Sequence, residues 1–297
     1  MTAQTASPIT SVSDTAIWVA MYRALESDRP DALFVDPFAR RLAGPRGDEM
    51  LARIPRARRF GWPMVVRTAL MDEIILRAIR DHAITTVLNL AAGLDTRPYR
   101  LDVPASLRWI DADLPGILDY KLEALSGERA RCRYEAVRAD LTDPDARAGV
   151  LARAADPDGR VLVVTEGLLI YLTADDVRGL SRDLAGLAGV GWWLIDLASP
   201  RAVKMMSRTW GSTVAAGNAP FRFAPPEGTA FFAPLGWREA EYHGIFDASR
   251  RLDRTLPLAG FWAAVARLYP RRIREEFKRF SGVVLLERRD PAPPRMP

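Results

Sequence analysis

The residues from Thr86 to Arg97 constrain the fold of this chain more than any other stretch. A short apolar run, Thr86–Leu90, is followed directly by small residues, one glycine and a polar Asp-Thr-Arg end. A buried strand of a parallel sheet has such a continuous apolar sequence, and small residues after it let a ligand approach the backbone. Because ligands of open α/β sheets lie outside the carboxyl ends of the strands, residues 91–95 predict either the start of a ligand pocket or a tight turn without a ligand.

Apolar runs of strand type alternate with helical patterns after this stretch. The predicted strands are residues 86–90, 107–113, 134–141, 160–165, 192–197 and 281–287. Helices are predicted over residues 114–125 and after Thr173, whose hydroxyl can cap the first turn. This alternation predicts an α/β fold with a doubly wound, mostly parallel sheet.

The region before the sheet is predicted to be helical. Ser13 is expected to cap a helix over residues 14–26, and Pro63 lies near the first turn of a second, longer helix. No glycine-rich linker separates these helices from the sheet, so we expect a single domain. Its parts are a helical cap (1–82), a ligand-binding core (83–199), a lid or substrate insertion (200–235), the end of the core (236–290) and a tail (291–297).

Composition narrows the classes of function. The chain has 297 residues and a net charge of +5, but acidic residues are almost as numerous as basic ones. The arginine clusters are short, which favours solvated helix faces over a nucleic-acid surface. Cys132 is the single cysteine, so neither an internal disulfide nor a cysteine-based zinc site is expected. No run of about 18 apolar residues and no leader pattern is present, so we expect a cytoplasmic protein without membrane or nucleic-acid partners.

Acidic residues end the predicted strands. Asp111 and Asp113 lie on the same side of the second strand, where a carboxylate suits a ribose diol, although Asp113 could equally cap the next helix. Asp140 could bond an exocyclic amine while Leu141 packs on a purine face, or it could close a turn. Glu166, followed by a glycine, is a poor structural choice unless a ligand uses its charge.

These strand ends together favour a cofactor that contains a nucleoside. The loop after the first strand lacks the spaced glycines that place a pyrophosphate on backbone amides, and Pro98 delays the next helix. Both features indicate a cofactor without phosphates. An NAD(P)-dependent oxidoreductase on a similar sheet, and a protein that binds the cofactor without catalysis, remain as alternatives.

One set of motifs is spread over the N-terminal helices and the strand ends: Ser13-Asp14-Thr15-Ala16, Tyr22-Arg23-Ala24, Asp36-Pro37, Asn89-Leu90-Ala91-Ala92-Gly93-Leu94-Asp95-Thr96-Arg97, Asp111-Ala112-Asp113-Leu114-Pro115, Tyr120-Lys121, Asp140-Leu141, Thr165-Glu166-Gly167 and Tyr171-Leu172. The combination resembles the class I S-adenosylmethionine-dependent methyltransferases of the leucine carboxyl methyltransferase-like group, which includes bacterial polyketide carboxyl O-methyltransferases. The resemblance covers about residues 11–200. It implies a Rossmann-like sheet of seven strands and S-adenosyl-L-methionine as the cofactor.

The resemblance also implies the residues that contact the cofactor. Arg67, before the first strand, would hold the carboxylate of the cofactor, and Gly93 would be the glycine that allows close approach in the first loop. Asp113 would bind the ribose hydroxyls. Asp140 and Leu141 would contact the adenine.

Further residues are implied near the reacting atoms. Glu166 matches an additional acid of the cofactor site, Tyr171 lies where relatives approach the methyl acceptor, and Asp111 is a weaker claimant for the ribose. Ala91 stands where many relatives have glycine. His243, one of two histidines, is a candidate base for a phenol or alcohol acceptor, whereas a carboxylate acceptor needs none because it is already ionised.

The sequence therefore predicts an S-adenosyl-L-methionine-dependent methyltransferase that acts by in-line displacement on a small molecule. The expected reaction is O-methylation of a carboxylate or hydroxyl of a secondary metabolite, and no metal is expected because no metal-ligand spacing occurs. Aromatic residues in and before the insertion predict an aromatic pocket wall, or alternatively ordinary core packing: Trp192, Trp193, Trp210, Phe221, Phe223, Phe231 and Phe232.

Overall fold

A seven-stranded sheet lies at the centre of the computed structural model, which describes residues 12–53, 61–157, 159–216, 220–255 and 270–289. The strands are β1 Thr86–Leu90, β2 Arg108–Asp113, β3 Arg133–Arg138, β4 Val161–Thr165, β5 Val190–Ala198, β6 Trp237–Gly244 and β7 Ser281–Arg288. Their order is β3-β2-β1-β4-β5-β7-β6. The first five strands pair in parallel, and β7 is antiparallel to both β5 and β6. The predicted doubly wound, mostly parallel sheet is confirmed.

The described helices connect and cover these strands. They are α1 Val12–Ser27, α2 Ala39–Arg53, α3 Trp62–Asp81, α4 Arg97–Arg100, α5 Pro115–Ala124, α6 Pro144–Ala154, α7 Ala174–Gly186, α8 Pro200–Ala216, α9 Ile245–Arg251 and α10 Arg271–Lys278. Two 3₁₀ helices cover Leu169–Tyr171 and Gly228–Leu235. No helix in the described parts of the chain is long and apolar enough to cross a membrane.

Helices pack on both faces of the sheet. Val66 and Leu70 of α3 lie in one apolar cluster with Val87 of β1, and α6 and α7 pack with Leu88 of β1 in a cluster on the opposite face. All five residues of β1 and all five of β4 are buried. Because both faces are covered, the central strands are predominantly apolar, which is the pattern that the sequence shows.

The N-terminal helices form a third apolar cluster. Residues of α1 and α2 pack there with Leu94 and Ile117. The α1 helix already begins at Val12, so Ser13 lies inside it and is not its N-cap. The α3 helix packs in an apolar cluster with the sheet. The expected boundary at residue 82 between a helical cap and the core therefore does not coincide with a change of packing.

The C-terminal third differs most from the expectation. The β6 strand was not predicted, since its sequence is rich in charge and several of its residues stay partly exposed at the sheet edge. Residues 200–235 include the helix α8 and a 3₁₀ helix. The expected tail, residues 291–297, lies outside the described residues.

Candidate active site

A cavity of about 560 Å³ opens at the carboxyl ends of β1, β2, β4 and β5. Its floor is the loop after β1, and further walls come from α1, the start of α3, α8 and α9. The strand order reverses between β1 and β4, and such a switch point is where open α/β sheets bind ligands. The volume lies in the range of small-molecule sites, roughly 300–1,000 Å³.

The loop after β1 brings Gly93 against Asp113. The Gly93 amide donates a hydrogen bond of 2.6 Å to Asp113 Oδ2, and the Leu114 amide donates one of 2.7 Å to Oδ1. Gly93 has a φ of +51°, and a Cβ atom placed there would lie 3.2 Å from the Cβ of Ala16. Burial raises the pKa of Asp113 above its usual value, although both backbone hydrogen bonds act in the opposite direction. Both residues line the cavity.

Asp111 does not face the cavity. Its side chain is completely buried, and its carboxylate accepts hydrogen bonds of 2.7 Å from Lys121 Nζ, 2.9 Å from Trp109 Nε1 and 3.0 Å from Asn89 Nδ2. Because this carboxylate is buried and already accepts hydrogen bonds from three donors, ribose hydroxyls cannot reach it. Asp111 is therefore a structural residue, and its alternative role at the ribose is wrong.

Asp140 and Leu141 lie at the rim of the cavity. Asp140 Oδ1 accepts hydrogen bonds from the Thr142 amide (2.9 Å) and hydroxyl (2.7 Å). These bonds lower the pKa of Asp140. They also close a turn, which was one of the two roles expected for this residue. Oδ2 takes part in neither bond and is open to a ligand.

Arg67 joins the ends of two strands. Its Nε donates to Glu166 Oε1 at 2.9 Å, and its Nη1 donates to Asp196 Oδ2 at 3.0 Å. Asp196 also accepts a hydrogen bond of 2.7 Å from the Gly167 amide through Oδ1. Burial acts to raise the pKa of Glu166, but the charges of Arg97 and Arg67 outweigh it and hold that pKa below its usual value.

Two members of this cluster were missed by the sequence analysis. Asp196 lies near the carboxyl end of β5, where the criterion applied to the other strand ends would have found it. Arg97 is almost completely buried and donates to Asp72 (2.6 Å), Asp95 (2.8 Å) and Glu166 (2.8 Å). Arg97 belongs to the motif after β1, but nothing local in the sequence shows which acids it pairs with.

Tyr171 and His243 are separated in the structure. Tyr171 lines the cavity, its ring lies 5.9 Å from that of Phe221, and burial raises the pKa of its phenol. His243 lies on the edge strand β6 and does not line the cavity. Its Nε2 is 2.8 Å from Glu241 Oε2, and Glu241 also pairs with Arg77 of α3. The structure therefore gives no support to His243 as a base at this site.

For most of the aromatic residues considered from the sequence, the alternative of core packing holds and the pocket wall does not. Trp193, Phe223 and Phe232 are buried in the core under the sheet, and Trp192 stacks on His82 at 3.9 Å. Phe221 alone of that set lines the cavity among the side chains that the structure describes; the Trp210 side chain lies outside that part. Other aromatic residues take this place: Trp18, Trp62, Phe246 and Phe280.

Two further observations concern the chemistry of the cavity. Thr68 lines it, and the buried hydroxyl of this residue has no hydrogen-bond partner among the residues that the structure describes. Within the described ranges, no group of three His, Cys, Asp or Glu side chains could hold a metal ion.

Comparisons with known proteins find one family and several relatives of this chain. Residues 16–185 match the family model described as leucine carboxyl methyltransferase. A relative from Frankia alni, named as a presumed S-adenosyl-L-methionine-dependent methyltransferase, is 32% identical over 255 residues, covering 82% of this chain and 87% of that protein. A relative of the same designation from Mycolicibacterium paratuberculosis is 37% identical over 196 residues, 61% of this chain and 64% of that protein.

A solved structure supports the fold. A DUF574 family protein from Streptomyces avermitilis has a TM-score of 0.58 at 16% identity, covering 91% of this chain and 96% of that one. The family match spans more than half of the 297 residues and includes the ends of β1, β2 and β4, which build the cavity. This protein belongs to the leucine carboxyl methyltransferase family.

Proposed function

We propose that this protein transfers a methyl group from S-adenosyl-L-methionine to an oxygen of a small molecule, and that the acceptor oxygen belongs to a carboxylate. The observation that carries the proposal is the convergence of Gly93, Asp113, Asp140 and Glu166 on one cavity at the switch point of the sheet. The relatives from Frankia alni and Mycolicibacterium paratuberculosis are named for the same cofactor.

The residues present fit this cofactor. A side chain at position 93 would press on Ala16, so glycine keeps this part of the floor open to a ligand. Thr68 lines the cavity, and its buried hydroxyl, without a partner among the described residues, is left available for a bound group. Carboxylates outnumber guanidinium groups among the described lining residues, which suits a ligand that carries a sulfonium and an ammonium group.

Each part of the cofactor has a counterpart in the chain. Asp113 would accept hydrogen bonds from the ribose hydroxyls, and Asp140 and Leu141 would hold the adenine at the rim. Glu166 would face the ammonium group. Arg67 would offer its Nη2 to the carboxylate, since Nε and Nη1 already donate to acids.

The bound cofactor supplies an activated methyl group on its sulfonium. The chain contributes alignment and the exclusion of water, which can supply about 7–11 kcal/mol. Glu166 and Asp196 are each bonded to Arg67. A tyrosine phenol is already protonated at neutral pH, and burial raises the pKa of Tyr171 further, so neither the ion-paired acids nor this phenol is placed to act as a base. A carboxylate acceptor is already ionised at neutral pH, so the arrangement favours it over a hydroxyl.

Calorimetric titration with S-adenosylhomocysteine tests the cofactor. We expect binding by the wild type and at least about tenfold weaker binding by Asp113→Ala, because charged hydrogen bonds contribute about 1.5–3 kcal/mol each. Asp119→Ala, an acid on the exposed side of α5, is the matched control and should bind normally. Absence of binding by the wild type would overturn the proposal, and tight NADPH binding would favour an oxidoreductase.

A second experiment identifies the acceptor. The protein is incubated with S-adenosylmethionine that carries an isotopically labelled methyl group and with an extract of the producing cells. Mass spectrometry should find a labelled methyl ester. Cofactor binding without any labelled product would instead favour a protein that binds the cofactor without catalysis.

A further inference from the structure

Three aromatic rings line the cavity side by side. Trp62 is the first residue of α3, Phe246 lies in α9, and Phe280 immediately precedes β7. The ring centroids of Trp62 and Phe246 are 5.6 Å apart, and those of Phe246 and Phe280 are 5.7 Å apart, with interplanar angles of 45° and 48°. We call this set the aromatic wall.

Core packing explains only part of the aromatic wall, because Trp62 packs against the apolar cluster beneath α3 but Phe246 does not belong to a core cluster. Phe246 is 41% exposed although it lines a cavity, and Met205 of α8, also in the lining, is 49% exposed. Large apolar side chains left in water at a cavity mark a ligand site. Phe277 offers a contrast, because it is 49% exposed on α10 but does not line the cavity.

The aromatic wall adjoins the polar cluster at the end of β5. Ser199 lies three residues after Asp196, and its amide donates a hydrogen bond of 2.9 Å to the Phe280 carbonyl. This bond places Phe280 beside the carboxyl end of β5. Asp196 in turn pairs with Arg67. A ligand whose reacting group lies at the carboxyl end of β5, beside the cofactor carboxylate that Arg67 would hold, would thus have its apolar remainder within reach of the rings.

We propose that the aromatic wall binds the part of the methyl acceptor that does not react, and that this part is a planar aromatic system. The inference rests on the proposed methyl transfer and deepens it by naming the acceptor class, an aromatic carboxylic acid. Rings inclined at about 45° to one another present both faces and edges, and aromatic ligands gain affinity from such contacts beyond area burial alone. An alkyl chain gains only the burial.

The test titrates two carboxylates, 2-naphthoate and octanoate, into protein saturated with S-adenosylhomocysteine. We expect 2-naphthoate to bind more tightly than octanoate. Phe246→Ala should weaken 2-naphthoate binding about tenfold, and Phe246→Leu should fall between that variant and the wild type, because it keeps the apolar volume without the ring. Phe277→Ala, the matched exposed phenylalanine outside the cavity, should bind 2-naphthoate as the wild type does.

The outcomes separate this inference from the proposed function. Unchanged 2-naphthoate binding by Phe246→Ala, or octanoate binding as tight as that of 2-naphthoate, would overturn the aromatic acceptor and leave cofactor binding intact. Failure of the wild type to bind S-adenosylhomocysteine would overturn the proposed function instead. The same naphthoate titration without S-adenosylhomocysteine would then still decide whether the aromatic wall binds an aromatic carboxylate.

Discussion

Arg97 is the residue on which the acidic end of the cavity depends. Its guanidinium bonds Asp72, Asp95 and Glu166, and the charge of Asp95 acts to raise the pKa of Glu166. Arg97 lets these two neighbouring carboxylates stay ionised together. It acts on the cofactor through the acids that it positions.

Replacing Arg97 should make the loss of folding stability depend on pH. Arg97→Gln removes the ion-pair partner of Asp95 and leaves Glu166 with Arg67 alone, and breaking such buried pairs costs about 3–5 kcal/mol. The pKa values of Asp95 and Glu166 would then rise above those of the unfolded chain. The loss of stability should therefore be largest near neutral pH and shrink as the pH is lowered toward about 5.

Thermal unfolding of Arg97→Gln between about pH 5 and pH 8 measures this. Arg138→Gln, which removes an arginine from an exposed pair with Asp119, is the control and should cost under about 1 kcal/mol at any of these pH values. A deficit of Arg97→Gln that does not change with pH would show that Arg97 has a packing role only.

Ala91 adopts a backbone conformation that favours glycine. Its φ is +54°, and a residue with a Cβ pays about 1–2 kcal/mol for this left-handed conformation. Glycine avoids that cost but loses about 0.4–1 kcal/mol through a more flexible unfolded chain. Ala91→Gly should raise the melting temperature by about 1–4 °C, as calorimetry can show, and a lower melting temperature would mean that the Ala91 methyl packs usefully.

At the scale of single elements, the side chain of Thr173 determines where α7 begins. Thr173 Oγ1 accepts a hydrogen bond of 3.2 Å from the Asp176 amide, and Asp176 Oδ2 accepts one of 2.9 Å from the Thr173 amide. This reciprocal pair is the capping box of α7. The predicted cap at Thr173 is confirmed.

Removing that cap should destabilise the protein measurably. Thr173→Ala loses one of the two reciprocal bonds, and such losses cost about 0.5–2 kcal/mol. Denaturant unfolding would measure the change. Asp175→Ala, in the same turn with a side chain 92% exposed, is the comparison and should cost less than Thr173→Ala; an equal cost would refer the effect to charge at the helix terminus.

At the scale of the whole molecule, a buried ion pair and its hydrogen bonds tie the N-terminal helices to the loop after β1. Arg23 of α1 donates to Asp36 (2.8 Å) and to the Leu94 carbonyl (2.6 Å), and Thr96 Oγ1 donates to the same Asp36 (2.6 Å). Burial acts to raise the pKa of Asp36, but the charge of Arg23 and the hydroxyl of Thr96 outweigh it. Its pKa therefore lies below the usual value.

Acid should unfold these regions together. Asp36, Asp95 and Glu166 all have lowered pKa values in the folded protein. Their stabilisation is complete above the carboxyl pKa values of the unfolded chain, about 3.9–4.3, and is lost as the pH falls below them. Calorimetry from about pH 6 to pH 3 should show one transition that moves to lower temperature; a separate early transition would mean that the N-terminal helices unfold alone.

The sequence determined the elements and the strand ends. The bounds of β1 were predicted to the residue, and those of β2, β4 and β7 to within one residue at either end. These bounds are predictable because a strand that is buried on both faces has a continuous apolar sequence. Gly93, Asp113, Asp140, Leu141 and Glu166 line the cavity, as expected for residues that follow or end neighbouring strands. Arg67 of α3 and Tyr171 of the first 3₁₀ helix, which the family resemblance implied, line it too. Their contacts with a cofactor stay predictions.

Only the tertiary structure decided which side chains meet. In the folded chain Asp111 is buried against Lys121, and His243 lies at the edge of the sheet. Arg67 pairs with Asp196, and the rings of Trp62 and Phe246 meet at the cavity. The physical reason is that the pattern of apolar residues along the chain depends on which faces of each element are buried. Contacts across the cavity depend instead on the strand order and the crossover connections, which bring together residues more than 150 positions apart, such as Trp62 and Phe246.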